Sequence, residues 1–383
     1  MTVPVYLDYA ATAPVDPRVV QAMADVLQAS YGNPSAVHAQ GIAARTCVES
    51  ARAQVAALIR APAAAIVFTS GATESNNLAI LGAARANSDR GRHLISVRTE
   101  HRAVLDPLAQ LVREGFNVTL LDTDRLGRID AQQVQAAVRD DTTLVSIMAV
   151  NNETGVLQDI RQVASVIADR GILLHVDAAQ AAGRIPLDVD HMGVDLMSLS
   201  AHKAHGPPGV GALYVRREPR PTLRPLLFGG GQESGLRPGT LPVHQIVGMG
   251  CAFQIAADEG AVEAHRLSTL RDRLWRDLQV IPRIHLNGHP TARAPHILNV
   301  SFEDIDGESL QLATSPLAVA SGSACSAASG EPSYVLRALG REDALSAASL
   351  RFSLGRMTSD RDIEVAGHCV IAAVTRLREL APQ

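Results

Sequence analysis

One lysine stands among the 35 lysine and arginine side chains of this 383-residue chain. It is Lys203, in Ser200-Ala201-His202-Lys203-Ala204-His205-Gly206. A guanidinium stays protonated and cannot form an imine, whereas a lysine amine can be desolvated, deprotonated and made nucleophilic. A single retained lysine therefore points to chemistry that tolerates no arginine. The obvious case is a Schiff base with a carbonyl, above all pyridoxal phosphate. The competing reading is a lone surface lysine left over in an arginine-rich composition, and the residues around it weigh against that.

Further candidates follow short apolar runs. Gly71-Ala72-Thr73 offers small residues and a hydroxyl at a helix start, suited to a phosphate. Glu100-His101, Asn151-Asn152-Glu153, Asp177 with Gln180, and Ser200 with His202 complete the set. Singly each is weak; an aspartate after a strand is more often a helix cap. Together they supply what pyridoxal phosphate needs: an amine, an anion cradle, a stacking imidazole, and a carboxylate that keeps the pyridine nitrogen protonated. A second reactive candidate is Cys325, inside ten consecutive small residues, 321–330. Such a stretch cannot pack a core well and reads as a loop, where a thiol can serve as a travelling nucleophile. Cys251 and Cys369 sit among apolar residues at helical spacing and read as inert.

The elements that must position these groups alternate. Strand-like runs at 65–68, 93–97, 117–121, 143–150, 172–176, 194–200 and 210–215 are separated by helical patterns at 103–112, 131–138 and 158–168. A helix is also expected to start at Asp16-Pro17 and another after Gly71. Short buried strands between amphipathic helices predict an α/β fold, a mostly parallel sheet with helices on both faces. In such a sheet ligands gather outside the carboxyl ends of the strands, where these candidates fall. A long helix is expected over 244–280, then a smaller α+β unit with strands at 297–302 and 317–321 and a closing helix over 363–380. The strand at 5–7 is expected to join that unit. The expected division is therefore 14–258 for the large domain, and 1–13 with 259–383 for the small one.

Composition narrows the class. Hydrophobic residues make up 46% and aromatics 3%, so the core is built from Ala, Val, Leu and Ile. Net charge is −4, with no long basic run, which argues against a direct nucleic-acid surface. No apolar stretch could span a bilayer and no secretory signal is read at the N-terminus. The four cysteines are scattered without a CxxC pair, which predicts reduced thiols in a cytoplasmic protein, and neither a disulfide frame nor a metal site.

Motifs in order along essentially the whole chain carry a resemblance. They are Tyr6-Leu7-Asp8-Tyr9-Ala10-Ala11-Thr12, Thr69-Ser70-Gly71-Ala72-Thr73-Glu74-Ser75-Asn76-Asn77, Thr99-Glu100-His101 and Val150-Asn151-Asn152-Glu153-Thr154-Gly155. His175-Val176-Asp177-Ala178-Ala179-Gln180, His202-Lys203, Arg237-Pro238-Gly239-Thr240, Ser321 to Cys325 and Arg351-Phe352-Ser353-Leu354-Gly355-Arg356 continue it. The set resembles cysteine desulfurases of the IscS/NifS type, in the branch with a long loop around the cysteine. Ala201 and Pro208 depart from the usual glycine and lysine at those positions. The resemblance implies a fold-type I pyridoxal phosphate transferase with a seven-stranded-type sheet, a homodimer that converts L-cysteine to L-alanine. It implies that Lys203 binds the cofactor covalently, His101 stacks on its ring as an acid/base candidate, Asp177 pairs with the pyridine nitrogen and Gln180 contacts the ring hydroxyl. Thr73, Ser200 and His202 would hold the phosphate with a backbone contact from Ala72, Thr240 would reach in from the other subunit, and Asn152 would lie beside the cofactor. Asn33 and Arg351 would bind the substrate carboxylate. Cys325 would take the sulfur as a persulfide and pass it to an acceptor, such as a cluster scaffold protein for iron–sulfur assembly, or into another thiolation pathway.

Two other readings stay open on the residues. An aminotransferase or selenocysteine lyase could use the same fold, but an aminotransferase would not need Cys325. A persulfide carrier without cofactor chemistry would not need Lys203, Asp177 and His101 together.

Overall fold

The computed structural model describes residues 4–321 and 331–380. Its central sheet uses β2 (Ile66–Thr69), β3 (His93–Val97), β4 (Asn117–Leu121), β5 (Thr142–Met148), β6 (Leu173–Asp177), β7 (Leu196–Ser200) and β8 (Gly211–Val215). The order is β2-β8-β7-β6-β5-β3-β4. β7, β6, β5, β3 and β4 run parallel, and β8 runs antiparallel to both neighbours. β3, β5, β7 and β8 are buried at every position, because helices cover both faces. Those helices include α1 (Pro17–Ala29), α2 (Ala39–Leu58), α3 (Ala72–Ala86), α4 (Arg102–Arg113), α5 (Ala131–Ala137) and α6 (Ile160–Ile167). This is the expected α/β architecture.

α7 (Val243–Leu278) is a 36-residue helix, roughly 54 Å long at 1.5 Å per residue. Its first half contributes Ile246, Met249, Ala252 and Phe253 to the core of the large sheet. Its second half contributes Leu267, Leu270, Leu274 and Leu278 to a separate cluster with Leu7, Phe302, Phe352 and Val370. Around that second cluster lie β9 (Ile284–Leu286), β10 (Ile297–Phe302), β11 (Leu317–Ala318), β12 (Ala320–Ser321) and β13 (Ser349–Ser353). With them lie α8 (Gly307–Ala313), α9 (Tyr334–Ala338), α10 (Asp343–Ala347) and α11 (Asp360–Leu380). The N-terminal strand β1 (Val5–Tyr6) pairs in parallel with β11, as expected from its sequence setting.

Several elements depart from the sequence reading. The strand expected over 317–321 is two strands: Leu317–Ala318 pairs with β1, and Ala320–Ser321 turns to pair with β13. α2 was not expected as a helix, since its buried face is made largely of alanine and glycine (Gly41, Ala44, Ala51, Ala56), which gives little contrast with its other face. β13 was read only as a motif. It alternates Leu350 and Phe352, which enter the second core, with Ser349, Arg351 and Ser353, which are buried on the opposite face.

One close approach shapes the sheet edge nearest Lys203. A Cβ on Gly211 would lie 2.6 Å from Gly71 Cα and 2.6 Å from the Leu199 carbonyl oxygen. Both obstacles are backbone and cannot rotate away. Gly211→Ala is therefore expected to cost about 1–3 kcal/mol of stability, the usual range for overpacking. Denaturant unfolding measures it, and an unchanged midpoint would show that the two segments can part without loss.

Candidate functional site

The carboxyl ends of β2, β3, β5, β6 and β7 meet at a cavity of about 240 Å³. β8 returns from the same edge, so the turn between β7 and β8 carries His202 and Lys203 to the cavity wall. Ala72, Thr73, His101, Asn152, Asp177, Gln180, Ser200, His202 and Lys203 all line it. Nine residues, expected from separate points in the sequence, thus share one pocket.

α3 begins there. Its N-cap is Gly71, at φ +153°, and no side chain caps its first amide groups. An uncapped helix N-terminus leaves backbone N–H donors and a positive dipole end for an anion. Ser200 Oγ, Asn152 Oδ1 and Asn76 Oδ1 line the same cavity and are buried without a hydrogen-bond partner among the described residues. Buried polar groups are normally satisfied, so these three mark room for a polar ligand.

His101 is the N-cap of α4. The Ala103 amide donates to its Nδ1 at 3.1 Å. That contact fixes the ring plane and leaves the ring proton on Nε2. Burial, opposed by the charge of Asp177 and helped by that of Lys203, pushes its pKa below the usual histidine value, so the ring is neutral at pH 7. Asp177, at the end of β6, accepts from Asn76 Nδ2 at 2.7 Å through Oδ2 and from the Ala179 amide at 2.9 Å through Oδ1. The carboxylate is thus held by a side chain from α3 as well as by its own turn. Burial, reinforced by Lys203, pushes the His202 pKa down to about 4, and its Nδ1 lies 3.1 Å from Thr12 Oγ1. Gln180 Nε2 donates to the Ala10 carbonyl at 2.8 Å.

The backbone of Lys203 is tied down by Arg184, whose Nη2 donates to the Lys203 carbonyl at 3.2 Å. Arg184 also pairs with Glu263 of α7 at 2.7 Å. Arg351 is 2% exposed. Its Nη1 donates to the Asn152 carbonyl at 2.9 Å, its Nη2 pairs with Asp8 at 2.7 Å, and its Nε has no partner among the described residues. It thus reaches the pocket wall through Asn152, from the second core. Asn33 and Thr240 are both exposed and lie outside this cavity; Asn33 accepts from the Ser35 amide within its own turn. Cys325 lies outside the described residues. Cys251 and Cys369 sit half-buried in α7 and α11, and burial raises both thiol pKa values, as their apolar settings suggested. No group of His, Cys, Asp and Glu among the described residues could hold a metal ion. No helix among them is long and apolar enough to cross a membrane.

Sequence reasoning missed the residues that act at one remove. Asn76 holds Asp177, Arg184 holds Lys203, and Thr12 and Ala10 meet His202 and Gln180. Asn76 had a signal: an amide on the apolar face of a helix, buried beside Leu78 and Ala79, needs a polar partner.

Comparison with known proteins agrees with this geometry. The aminotransferase class-V family matches residues 5–365. Curated relatives named cysteine desulfurase IscS, from Ectopseudomonas mendocina and from Escherichia coli K12, are each 53% identical, covering 100% of this chain and 95% of theirs. A solved NifS-like protein superposes with a TM-score of 0.91 at 35% identity, over 98% of this chain and 100% of its own. DndA from Streptomyces lividans superposes at 0.77 with 41% identity, over 91% of this chain and 99% of its own. SspA, solved in complex with cysteine, superposes at 0.82 with 38% identity, over 91% and 98%. Lys203 at the pocket wall, the uncapped start of α3 and the anchored Asp177 suit the cofactor of these enzymes, and the chain belongs to the pyridoxal phosphate-dependent cysteine desulfurases of the class-V aminotransferase family.

Proposed function

We propose that this protein converts L-cysteine to L-alanine and carries the released sulfur as a persulfide on Cys325 to an acceptor protein, a scaffold for iron–sulfur clusters. The observation that carries this reading is the one pocket that gathers the chain's single lysine, a doubly held aspartate and an uncapped helix start. Bound there, pyridoxal phosphate supplies the electron sink that lets bonds at the amino acid's α- and β-carbons break.

The residues divide the remaining work. Lys203 provides the amine that attaches the cofactor. Ala72, Thr73, Ser200 and His202 hold its phosphate at the start of α3, where a neutral imidazole at His202 donates without adding charge. Asp177, fixed by Asn76, keeps the ring nitrogen protonated, and Gln180 meets the ring hydroxyl. His101 would stack on the ring, with Asn152 beside it, and its Nε2, the nitrogen not taken by the Ala103 amide, would be the one to move a proton. Arg351, whose Nε is unpartnered among the described residues, and Asn33 take the substrate carboxylate. The Cys325 thiolate attacks the substrate sulfur. A sulfur–sulfur bond forms, the bond from sulfur to the β-carbon breaks, its electron pair stays on carbon, and protonation there gives alanine.

Asn33 and Thr240 lie outside the pocket of their own chain, which supports a homodimer in which Thr240 completes the neighbour's phosphate site. Phe228, 87% exposed beside the glycine-rich segment leading to Thr240, supports the same reading, since a large exposed aromatic suits an interface. We also propose that the chain divides at 258/259 within α7, with 14–258 as the cofactor domain and 1–13 with 259–383 as the smaller one. The three described cysteines are unpaired, which supports a reducing, cytoplasmic setting.

Lys203→Ala is expected to abolish the visible absorption of bound cofactor and all turnover, and Lys203→Arg to do no better, because arginine keeps charge but not imine chemistry. Borohydride reduction of the native protein followed by peptide mapping should place the cofactor on Lys203, and an active arginine variant would overturn the assignment.

Cys325→Ser is expected to retain the cofactor and still respond spectrally to cysteine, yet release almost no sulfide, since a serine hydroxyl is a far poorer nucleophile than a thiol of pKa about 8.5. Sulfide release at the native rate would favour the aminotransferase-like reading instead.

The shared site has its own check. Lys203→Ala and Thr240→Glu homodimers are each expected to be inactive, the second because a carboxylate repels the phosphate. Mixed under conditions of subunit exchange, they should regain activity from the one intact composite site. No recovery in proven hybrids, or an active monomer in sedimentation, would refute it.

A further inference from the structure

Two of the strand-end turns that line the pocket make a second contact through the residue next to the one that faces it. His101 lines the cavity, and the carbonyl of Glu100 accepts from the Tyr334 hydroxyl at 2.7 Å. Asn152 lines the cavity, and the carboxylate of Glu153 accepts from the Ser333 hydroxyl. Ser333 is also the N-cap of α9, accepting from the Leu336 amide at 3.1 Å, so its hydroxyl both donates and accepts. The Arg102 guanidinium, in the first turn of α4, lies 5.3 Å from the centre of the Tyr334 ring. On the other side of Cys325 in the sequence, Ser321 lies on β12, which pairs with β13 through Ala320 opposite Arg351 and Ser321 opposite Leu350.

We infer that Ser333 and Tyr334 are positioning residues for sulfur transfer: through Glu153 and Glu100 they fix the downstream root of the Cys325 segment to the same two turns that present His101 and Asn152. This rests on the reading of Cys325 as the sulfur acceptor.

Three observations support it. Glu153 is fully buried, and one of its carboxylate oxygens has no partner among the described residues. A buried carboxylate so poorly compensated is expensive for stability, and an apolar side chain would serve a purely structural site better. Burial also pushes its pKa up to about 7, with only the Ser333 bond and the charge of Arg351 opposing. Chain connectivity adds the third point. Cys325 lies four residues after Ser321 and eight before Ser333. Fixing both ends of a short chain beside a site raises the effective concentration of a group tethered between them.

The holoenzyme tests this. Native protein, Ser333→Ala, Tyr334→Phe and Ser333→Thr are mixed with L-cysteine, and sulfur on Cys325 is followed in time by mass spectrometry. Cofactor absorption and its change with cysteine concentration are recorded in parallel. Ser333→Ala is expected to slow sulfur appearance about tenfold, the scale of one lost hydrogen bond, with Tyr334→Phe slowing it less. Cofactor content and the cysteine concentration for half-maximal response should stay native. Ser333→Thr, which keeps the hydroxyl and the cap, should return to within about twofold of native. Native-rate transfer in both Ser333→Ala and Tyr334→Phe would overturn the inference. So would a slowing that merely tracks loss of cofactor or of cysteine binding, since that is what general damage to the fold produces. If the native enzyme itself gains no sulfur on Cys325, the reading of that cysteine fails, and this inference fails with it; that result is visible before any variant is made.

Discussion

A single buried carboxylate holds together the parts that make the pocket. Glu263, in the middle of α7, accepts from Arg184 Nη1 at 2.7 Å through one oxygen and from Arg356 Nε at 2.9 Å through the other. Arg184 reaches the Lys203 carbonyl, and Arg356 continues to Asp16 at the start of α1. His205 completes the cluster. Its Nδ1 donates to the Pro14 carbonyl at 2.9 Å, and its Nε2 accepts from Arg184 at 3.3 Å. Burial pushes the His205 pKa down to about 4, so it enters the cluster as a neutral ring. The turn that bears the lysine, the long helix, the first helix and the segment after β13 are thereby joined by hydrogen bonds to one carboxylate. Removing it would strand two guanidiniums that are largely withdrawn from water, the arrangement in which a lost partner costs most.

Within that frame the sheet imposes a direction. Parallel strands deliver all their carboxyl ends to one edge, so every following turn opens toward the same cavity. β8 adds the only return strand among the seven, and that is what lets a tight connection carry Lys203 back across the edge. Gly211 and Gly71 meet there without side chains, which leaves the start of α3 beside the end of β7. The electrostatics follow from burial. His101 and His202 are neutral because they are withdrawn from water, so neither adds charge to the proposed cofactor contacts of this chain.

Much of this was legible in the residues. The single lysine, the glycine-led helix start and the aspartate after an apolar run have types that few other roles demand, and strand-to-helix alternation fixed which edge they would share. The strands of the large sheet were readable because their apolar runs are continuous. α2 was not, because alanine and glycine on its buried face differ little from the residues around them. β13 hid for the opposite reason: its polar face, Ser349, Arg351 and Ser353, is itself buried, so alternation did not mark an inside and an outside.

The sequence by itself determined the chemistry available, since an imine needs an amine and a persulfide needs a thiol, and both are written in residue type. It also determined the layering, since period and apolar content decide which elements can be buried on both sides. Only the tertiary structure decided which side chains hold the reactive ones in place. Asn76 on Asp177, Arg184 on Lys203 and Ser333 on Glu153 join residues far apart in the chain, at 101, 19 and 180 positions. No local pattern encodes such pairs, because a hydrogen bond depends on where two backbones bring their donors and acceptors, and that is settled by packing.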